Sequence, residues 1–356
     1  MGSYIRDLPN LHITTPCIPS HELSATAGCN IYLKLENLQP SGSFKSRGIG
    51  RLMSRSLQSS PTGRAHFYCS SGGNAGLACA EAGRTLQQPC DVFVHALTPS
   101  HVVAKLSALG ATPHRIGTTF LEADARCREA AASDPEGVYV SPFDNPHIWD
   151  GAATLVDELA AGPEVDAIVC SVGGGGLLNG IMEGVERNYA AAARRRPTVL
   201  AIETAGADSL AASIRAGEHV TIPAITSVAT SLGAPRVSAQ TFRWAQTSGA
   251  TTFVAGEEEA KLTAGEAKRP RLVSAVISDA EAVSACARFV DDTRFLVEVA
   301  CGATVASAYN PSMLRAALAP GADDESWRRM NVVLVVCGGS SISVDMLAKY
   351  RAKFGV

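Results

Sequence analysis

Four consecutive glycines, Gly173 to Gly176, constrain this chain more than any other feature. The run before them, Val165-Asp-Ala-Ile-Val-Cys-Ser-Val172, is short and apolar, as a buried parallel strand must be. The run after them, Leu177-Leu-Asn-Gly-Ile-Met-Glu-Gly-Val185, reads as a helix. Strand, glycine turn and helix in that order let successive backbone N–H groups converge on one anion at the helix start, where the dipole adds attraction. A flexible or tightly packed turn is the plain alternative for any glycine-rich loop. The strand-loop-helix setting favours a phosphate seat. Neither the Walker pattern nor the Gly-x-Gly-x-x-Gly fingerprint fits, which argues against a nucleoside triphosphate or NAD.

Three further segments repeat the design. The strand-like Ile31-Tyr-Leu-Lys-Leu-Glu36 leads through Pro40-Ser-Gly to a helix predicted over Phe44 to Leu57, with Ser43 as N-cap. Lys45 sits at that helix start. Most lysines are solvated surface charges, but an amine placed there can be held partly desolvated and neutral, as a Schiff-base lysine must be. Next, Ala65-His-Phe-Tyr-Cys69 runs into Ser70-Ser-Gly-Gly-Asn-Ala-Gly76 and an Ala-rich helix to Leu86. Ser70, Ser71 and Asn74 offer hydroxyl, amide and backbone donors suited to a carboxylate, although an ordinary N-cap cluster has the same composition. Last, Asn331-Val-Val-Leu-Val-Val-Cys337 reads as a buried strand ending in Gly338-Gly-Ser-Ser. Cys337 falls at its carboxyl end, where open α/β sheets place their ligands, though a buried structural thiol would look alike. With further apolar runs at Asp91–His95 and Val199–Ile202, the alternation predicts an α/β chain with mainly parallel sheet and helices on both faces.

Composition narrows the function. At 356 residues the chain can bury a large core and is expected to form two lobes. Charged residues are 18% and the net charge is −3, so no basic footprint points to nucleic acid. No apolar run approaches the roughly 20 residues that span a membrane. The start, Met1-Gly-Ser-Tyr-Ile-Arg6, lacks the apolar core of a secretory signal. Ten cysteines show no Cys-x-x-Cys pair; Cys17, Cys29, Cys69, Cys79, Cys90, Cys127, Cys170, Cys286 and Cys301 are expected to be buried small hydrophobes in a reduced, cytosolic compartment. The charged stretch 254–271 is expected to be a surface insertion loop.

Taken in order, these segments resemble the fold type II pyridoxal-phosphate enzymes (tryptophan synthase β-like), most closely the short, catabolic L-serine/L-threonine dehydratases. The resemblance is carried by Pro40-Ser-Gly-Ser-Phe-Lys-Ser-Arg-Gly48, Ser70-Ser-Gly-Gly-Asn-Ala-Gly76, Ser171-Val-Gly-Gly-Gly-Gly-Leu177 and Val336-Cys-Gly-Gly-Ser340. Phe143-Asp-Asn-Pro, Ile202-Glu-Thr-Ala-Gly, Ile225-Thr-Ser-Val-Ala, Phe289-Val-Asp-Asp and Val297-Glu-Val-Ala-Cys-Gly join them. It runs from Leu11 to Lys349 and implies two open, mainly parallel sheets with the cofactor in the cleft between lobes. Residues 1–38 with 146–356 would form the large lobe and 39–145 the small one. Lys45 would hold pyridoxal 5'-phosphate as a Schiff base, with Phe44 against one face of the ring and Ser231 at the other. Gly173, Gly174, Gly175, Gly176 and Leu177 would take the phosphate and Cys337 the pyridine nitrogen. Ser70, Ser71, Gly72 and Asn74 would bind the substrate carboxylate, Asn74 also lying by the ring hydroxyl.

The implied reaction is β-elimination from L-serine or L-threonine through an aminoacrylate or aminocrotonate, giving pyruvate or 2-oxobutyrate and ammonia. A potassium ion is implied at Glu203, Ala207, Ser209, Leu232 and Ala234, where Glu203 could instead be a salt-bridge partner. A homodimer is implied, and the short end after the last strand predicts no regulatory module. Three positions depart from the pattern. Gly72 replaces a common Ala and is expected to enlarge the pocket or loosen the loop, Ser231 places a hydroxyl by the ring, and Ser341 replaces a common Asn. These keep open a β-elimination or β-replacement tailoring enzyme with another β-substituted amino acid. A non-catalytic binder of cofactor or amino acid is the alternative from a different class, and a serine racemase fits less well.

Overall fold

The computed structural model describes residues 8–190, 194–254, 260–261 and 271–356. Its strands, in chain order, are β1 (Cys17–Pro19), β2 (Asn30–Lys34), β3 (His66–Cys69), β4 (Cys90–Val94), β5 (Thr112–Arg115), β6 (Gly137–Val140), β7 (Ala167–Ser171), β8 (Thr198–Thr204), β9 (Thr251–Val254), β10 (Ala260–Lys261), β11 (Leu272–Ile277) and β12 (Asn331–Val335). Two compact units divide them. The smaller takes the chain through Ile13 and again Leu38–Ala152; the larger takes Thr14–Asn37 and Ala153–Val356. The boundaries expected at 38/39 and 145/146 compare with divisions at 37/38 and 152/153, and residues 8–13 pack with the smaller unit. Apart from β9's last residue, β10 and Arg271, the insertion expected over 254–271 lies outside the described residues.

The larger unit holds an eight-stranded sheet in the order β1-β2-β12-β7-β8-β11-β9-β10. Every pairing is parallel except the two at the edges, β1 with β2 and β9 with β10, which are antiparallel. β7 and β11 are buried at every residue, as strands covered by helices on both faces must be. The order puts β12, β7 and β8 side by side. Cys337, just past β12, therefore leaves a carboxyl end adjacent to that of β7 with its glycine loop, more than a hundred positions away in the chain, and Glu203 lies near the end of β8 on the other side of β7.

The smaller unit holds four parallel strands in the order β5-β4-β3-β6. Its core joins Phe67, Cys69 and Val92 of the sheet to Ile49, Met53 and Leu57 of the helix Lys45–Ser59 and to Ala78, Cys79 and Ala82 of the helix Asn74–Leu86. The loop 70–73 leaves the end of β3, flanked by β4 and β6.

Two expectations need correction. The helix carrying the lysine begins at Lys45 with Phe44, not Ser43, at its N-cap. Its entry is a tight turn in which Ser46 N–H donates to Ser43 O (3.2 Å) and Arg47 N–H to Phe44 O (3.1 Å). Those bonds satisfy donors that a capping hydroxyl would have taken, and the Ser43 hydroxyl is buried without a partner. Cys17 is exposed while the other nine cysteines are buried. It lies on β1, an edge strand whose three residues all face solvent.

Candidate active site

In the smaller unit, Lys45 is half-buried at the first position of its helix. Its Nζ donates to the Pro142 carbonyl (2.5 Å) and lies 5.1 Å from the centre of the Phe44 ring. Pro142 immediately precedes the Phe143-Asp-Asn-Pro segment and is 97 positions from the lysine in the chain. Asn74 begins the helix Asn74–Leu86, with Gly73 at its N-cap and the Ser71 hydroxyl accepting from Gly73 N–H (3.2 Å). The loop can reach this helix only because residue 76 is glycine. A Cβ there would stand 1.8 Å from the Ser71 carbonyl oxygen.

Two sequence readings change here. Ser70 turns inward, only 1% exposed. Its hydroxyl donates to Asp124, which also accepts from Tyr139 OH (2.6 Å) and Arg128 Nε (2.8 Å). Burial tends to raise the Asp124 carboxyl, but these three donors outweigh it and hold it below its usual range. The Ser70 side chain is therefore a support of the loop. Gly72 does not open a pocket: a Cβ there would meet Thr98 Cγ2 at 3.0 Å and Val94 Cγ1 at 3.1 Å. The space left by the missing methyl is already filled from within the unit.

In the larger unit, the glycine loop turns at Gly175, whose φ of +92° is the left-handed region that favours glycine, and enters the helix Gly176–Val185. A Cβ at Gly175 would stand 1.8 Å from Thr241 Oγ1, and one at Gly173 would stand 3.0 Å from Leu232 Cα. Among the described residues, no hydrogen bond occupies the amide N–H groups of Gly173, Gly174, Gly175, Gly176 or Leu177. Gly174 and Gly173 are half-exposed, so those donors are reachable.

Cys337, 6% exposed, sits beside that loop, its Sγ 3.5 Å from Ser171 Oγ. The thiol of Cys301 hydrogen-bonds to it and draws it below the ordinary thiol range against the opposing effect of burial, whereas burial pushes Cys170 up. Sequence reasoning left Glu298 without a role, although it lies in the quoted segment Val297-Glu-Val-Ala-Cys-Gly. It is 4% exposed and accepts from Ser231 Oγ (2.7 Å) and from Ser341 N–H (2.6 Å). One of the three departures thus meets this buried carboxylate through its side chain, the Ser231 hydroxyl, whereas Ser341 reaches it only through the main chain. Gly339, at φ +116°, passes so close that a Cβ would lie 2.1 Å from the Glu298 carboxyl carbon.

At the end of β8, Glu203 is fully buried and accepts from Leu210 N–H and Ala211 N–H, both 2.8 Å. Burial pushes its carboxyl up to about 8, the two amides offsetting only part of that. Ser209 Oγ, close by in sequence, is buried with no partner. The Leu232 carbonyl accepts from Ala234 N–H (2.7 Å), folding that segment into a tight turn.

A family model described as "Pyridoxal-phosphate dependent enzyme" matches residues 9–338. The chain belongs to that family. Among curated relatives, the mouse L-serine dehydratase/L-threonine deaminase is 39% identical over 98% of this chain and 97% of its own length. The L-serine dehydratase of Saccharomyces cerevisiae is 37% identical over 91% and 92%. A solved fungal L-serine ammonia-lyase from Rhizomucor miehei superposes with a TM-score of 0.82 at 31% identity, covering 97% of this chain and all of that one. The fold is accordingly the type II fold of pyridoxal-phosphate enzymes.

The residues present fit that cofactor. A phosphate dianion needs convergent donors without competing side chains, and the unclaimed amides of Gly173 to Leu177 supply them at the start of a ten-residue helix. Among the described residues no group of three His, Cys, Asp or Glu side chains could hold a metal ion, and no helix is long and apolar enough to cross a membrane.

Proposed function

We propose that this chain is an L-serine/L-threonine ammonia-lyase, eliminating water from these amino acids and then taking up water again as ammonia is released, to leave pyruvate or 2-oxobutyrate. The observation that carries the reading is the 39% identity, over 98% of the chain, to a mouse protein named for that activity. Bound pyridoxal phosphate supplies an electron sink for the pair left when the α-proton departs. The Lys45 amine holds the cofactor at rest and takes the α-proton during turnover. Its bond to the Pro142 carbonyl sets where that amine points. Ser71 and Asn74 bind the substrate carboxylate, and the Gly173–Leu177 amides seat the phosphate. Cys337 would hold the pyridine nitrogen, where a thiol is a far weaker proton source than a carboxylic acid. The enamine released when the β-hydroxyl leaves is hydrolysed by water to the 2-oxo acid and ammonia. The full-length chain supplied with pyridoxal phosphate should form equimolar 2-oxo acid and ammonia from L-serine and L-threonine. Cofactor uptake without product from either amino acid would overturn the assignment.

A monovalent cation completes the reading, held by Glu203, Ser209 and the backbone oxygens of Ala207, Leu232 and Ala234. Its support is a fully buried carboxylate next to an orphaned buried hydroxyl. The carboxylate also gives a signed expectation for stability. Where tetramethylammonium is the only cation, Glu203 is protonated in folded and unfolded chain alike below about 4.5 and adds nothing. Between about 4.5 and about 8 only the unfolded chain gives up the proton, so the melting temperature should fall as pH rises through that window. Potassium should flatten the fall, and Glu203→Gln should remove both the fall and the potassium effect. Equal melting temperatures in the two salts at every pH would overturn the cation site.

A further inference from the structure

Beneath the glycine loop, three polar side chains from three places in the sequence close on one another. Asn179 Nδ2 donates to Ser238 Oγ (2.9 Å), and Thr241 Oγ1 donates to Asn179 Oδ1 (2.9 Å). Ser238 Oγ and Thr241 Oγ1 are 2.9 Å apart. Since the Thr241 proton is used on Asn179, the Ser238 proton must go to Thr241, and the ring runs in one direction with every hydroxyl both giving and accepting. Ser238 Oγ also accepts from Thr241 N–H (3.2 Å). Exposure is 0% at Asn179, 2% at Ser238 and 0% at Thr241. A closed ring of buried polar groups has few alternative arrangements and is stiff.

The ring is tied to the loop twice through the main chain. Ser238 N–H donates to Gly174 O (2.9 Å) and Asn179 N–H to Gly175 O (2.8 Å). In a trans peptide the carbonyl and the following N–H point in opposite directions. Drawing the Gly174 carbonyl toward Ser238 therefore turns the Gly175 N–H away from the ring. Holding the Gly175 carbonyl does the same for the Gly176 N–H. The third contact is steric. Thr241 Oγ1 occupies the place where a Cβ on Gly175 would stand, 1.8 Å from it.

We propose that Asn179, Ser238 and Thr241 are positioning residues that aim the loop's amides at the cofactor phosphate. This rests on the reading of Gly173–Leu177 as the phosphate seat. The test titrates the full chain with pyridoxal phosphate and, separately, with pyridoxal, which lacks the phosphate. Thr241→Val and Ser238→Ala each open the ring and should weaken pyridoxal phosphate binding about tenfold, the worth of one buried polar group left unpaired. Pyridoxal binding should not change, and Thr241→Ser, which keeps the hydroxyl, should restore the phosphate preference. If Thr241→Val does not fold, Ser238→Ala gives the same ratio. Unchanged pyridoxal phosphate affinity in a folded opened-ring variant, or equal losses for both ligands, would overturn the proposal. Gly175→Ala separates the two ideas. If it leaves the phosphate preference intact, the phosphate seat itself is wrong; if it alone destroys the preference, only the role of the ring is wrong.

Discussion

Lys45→Ala should leave a folded protein that forms almost no 2-oxo acid. Alanine is the best helix former, and the side chain it replaces is only half-buried, so the helix Lys45–Ser59 should persist. What disappears is an amine that the smaller unit holds by a backbone carbonyl, that of Pro142. Positioned proton transfer alone contributes roughly a hundredfold to ten-thousandfold, and a covalent anchor is lost with it. A fall in kcat of about a thousandfold or more is therefore expected for both amino acids. Lys45→Arg should fare no better, because a guanidinium stays protonated and cannot act as a neutral amine. The checks are product formation and far-ultraviolet circular dichroism. Turnover within tenfold of wild type in a folded Lys45→Ala would sink the assigned role.

The second large effect is expected at Gly76, which has no side chain to react. On propensity alone, Gly76→Ala should stabilise the helix Asn74–Leu86 by about 1 kcal/mol. Packing reverses the sign. The new Cβ would stand 1.8 Å from the Ser71 carbonyl oxygen and 3.2 Å from Val92 Cγ1. Forcing a methyl into a filled site costs about 1 to 3 kcal/mol, and backbone cannot rotate away as a side chain can. The Ser71–Gly72 peptide must therefore swing, carrying the proposed carboxylate grip with it. Misplacement of a binding group by an ångström can cost about a hundredfold, so kcat/KM should drop by that order, chiefly through KM, together with a lower melting temperature. Gly72→Ala should be much milder, because its Cβ meets only the Thr98 and Val94 methyls at 3.0 and 3.1 Å, which can yield by tenths of an ångström. A Gly76→Ala variant that is more stable than wild type with unchanged KM would contradict the geometry.

Local chemistry carried much of this into the sequence. β7, the glycine turn and the helix Gly176–Val185 could be read directly, since a strand buried on both faces has to be an unbroken apolar run and a crowded turn at positive φ has to be glycine. The same held for β3, the loop 70–73 and the helix Asn74–Leu86. The capping of the lysine helix was misread because Ser43 has the right chemistry for an N-cap, and only the observed turn shows its hydroxyl facing the interior.

Partnership between distant side chains was not legible. Ser70 looked like a substrate ligand until helix and sheet brought Asp124, Arg128 and Tyr139 around its hydroxyl. Gly72 looked like added pocket volume until Thr98 and Val94 were seen against it. Ser231 looked like a hydroxyl placed by the ring until it was found on Glu298, sixty-seven residues away. Asn179, Ser238 and Thr241 carried no motif at all. The sequence by itself determined the α/β class, the family and the loops that can bear the chemistry, because those follow from backbone geometry and from periodicity over a few residues. The tertiary structure alone decided which polar side chains face the reaction and which support it, because a buried hydroxyl or carboxylate takes its role from whatever partner the fold delivers to it.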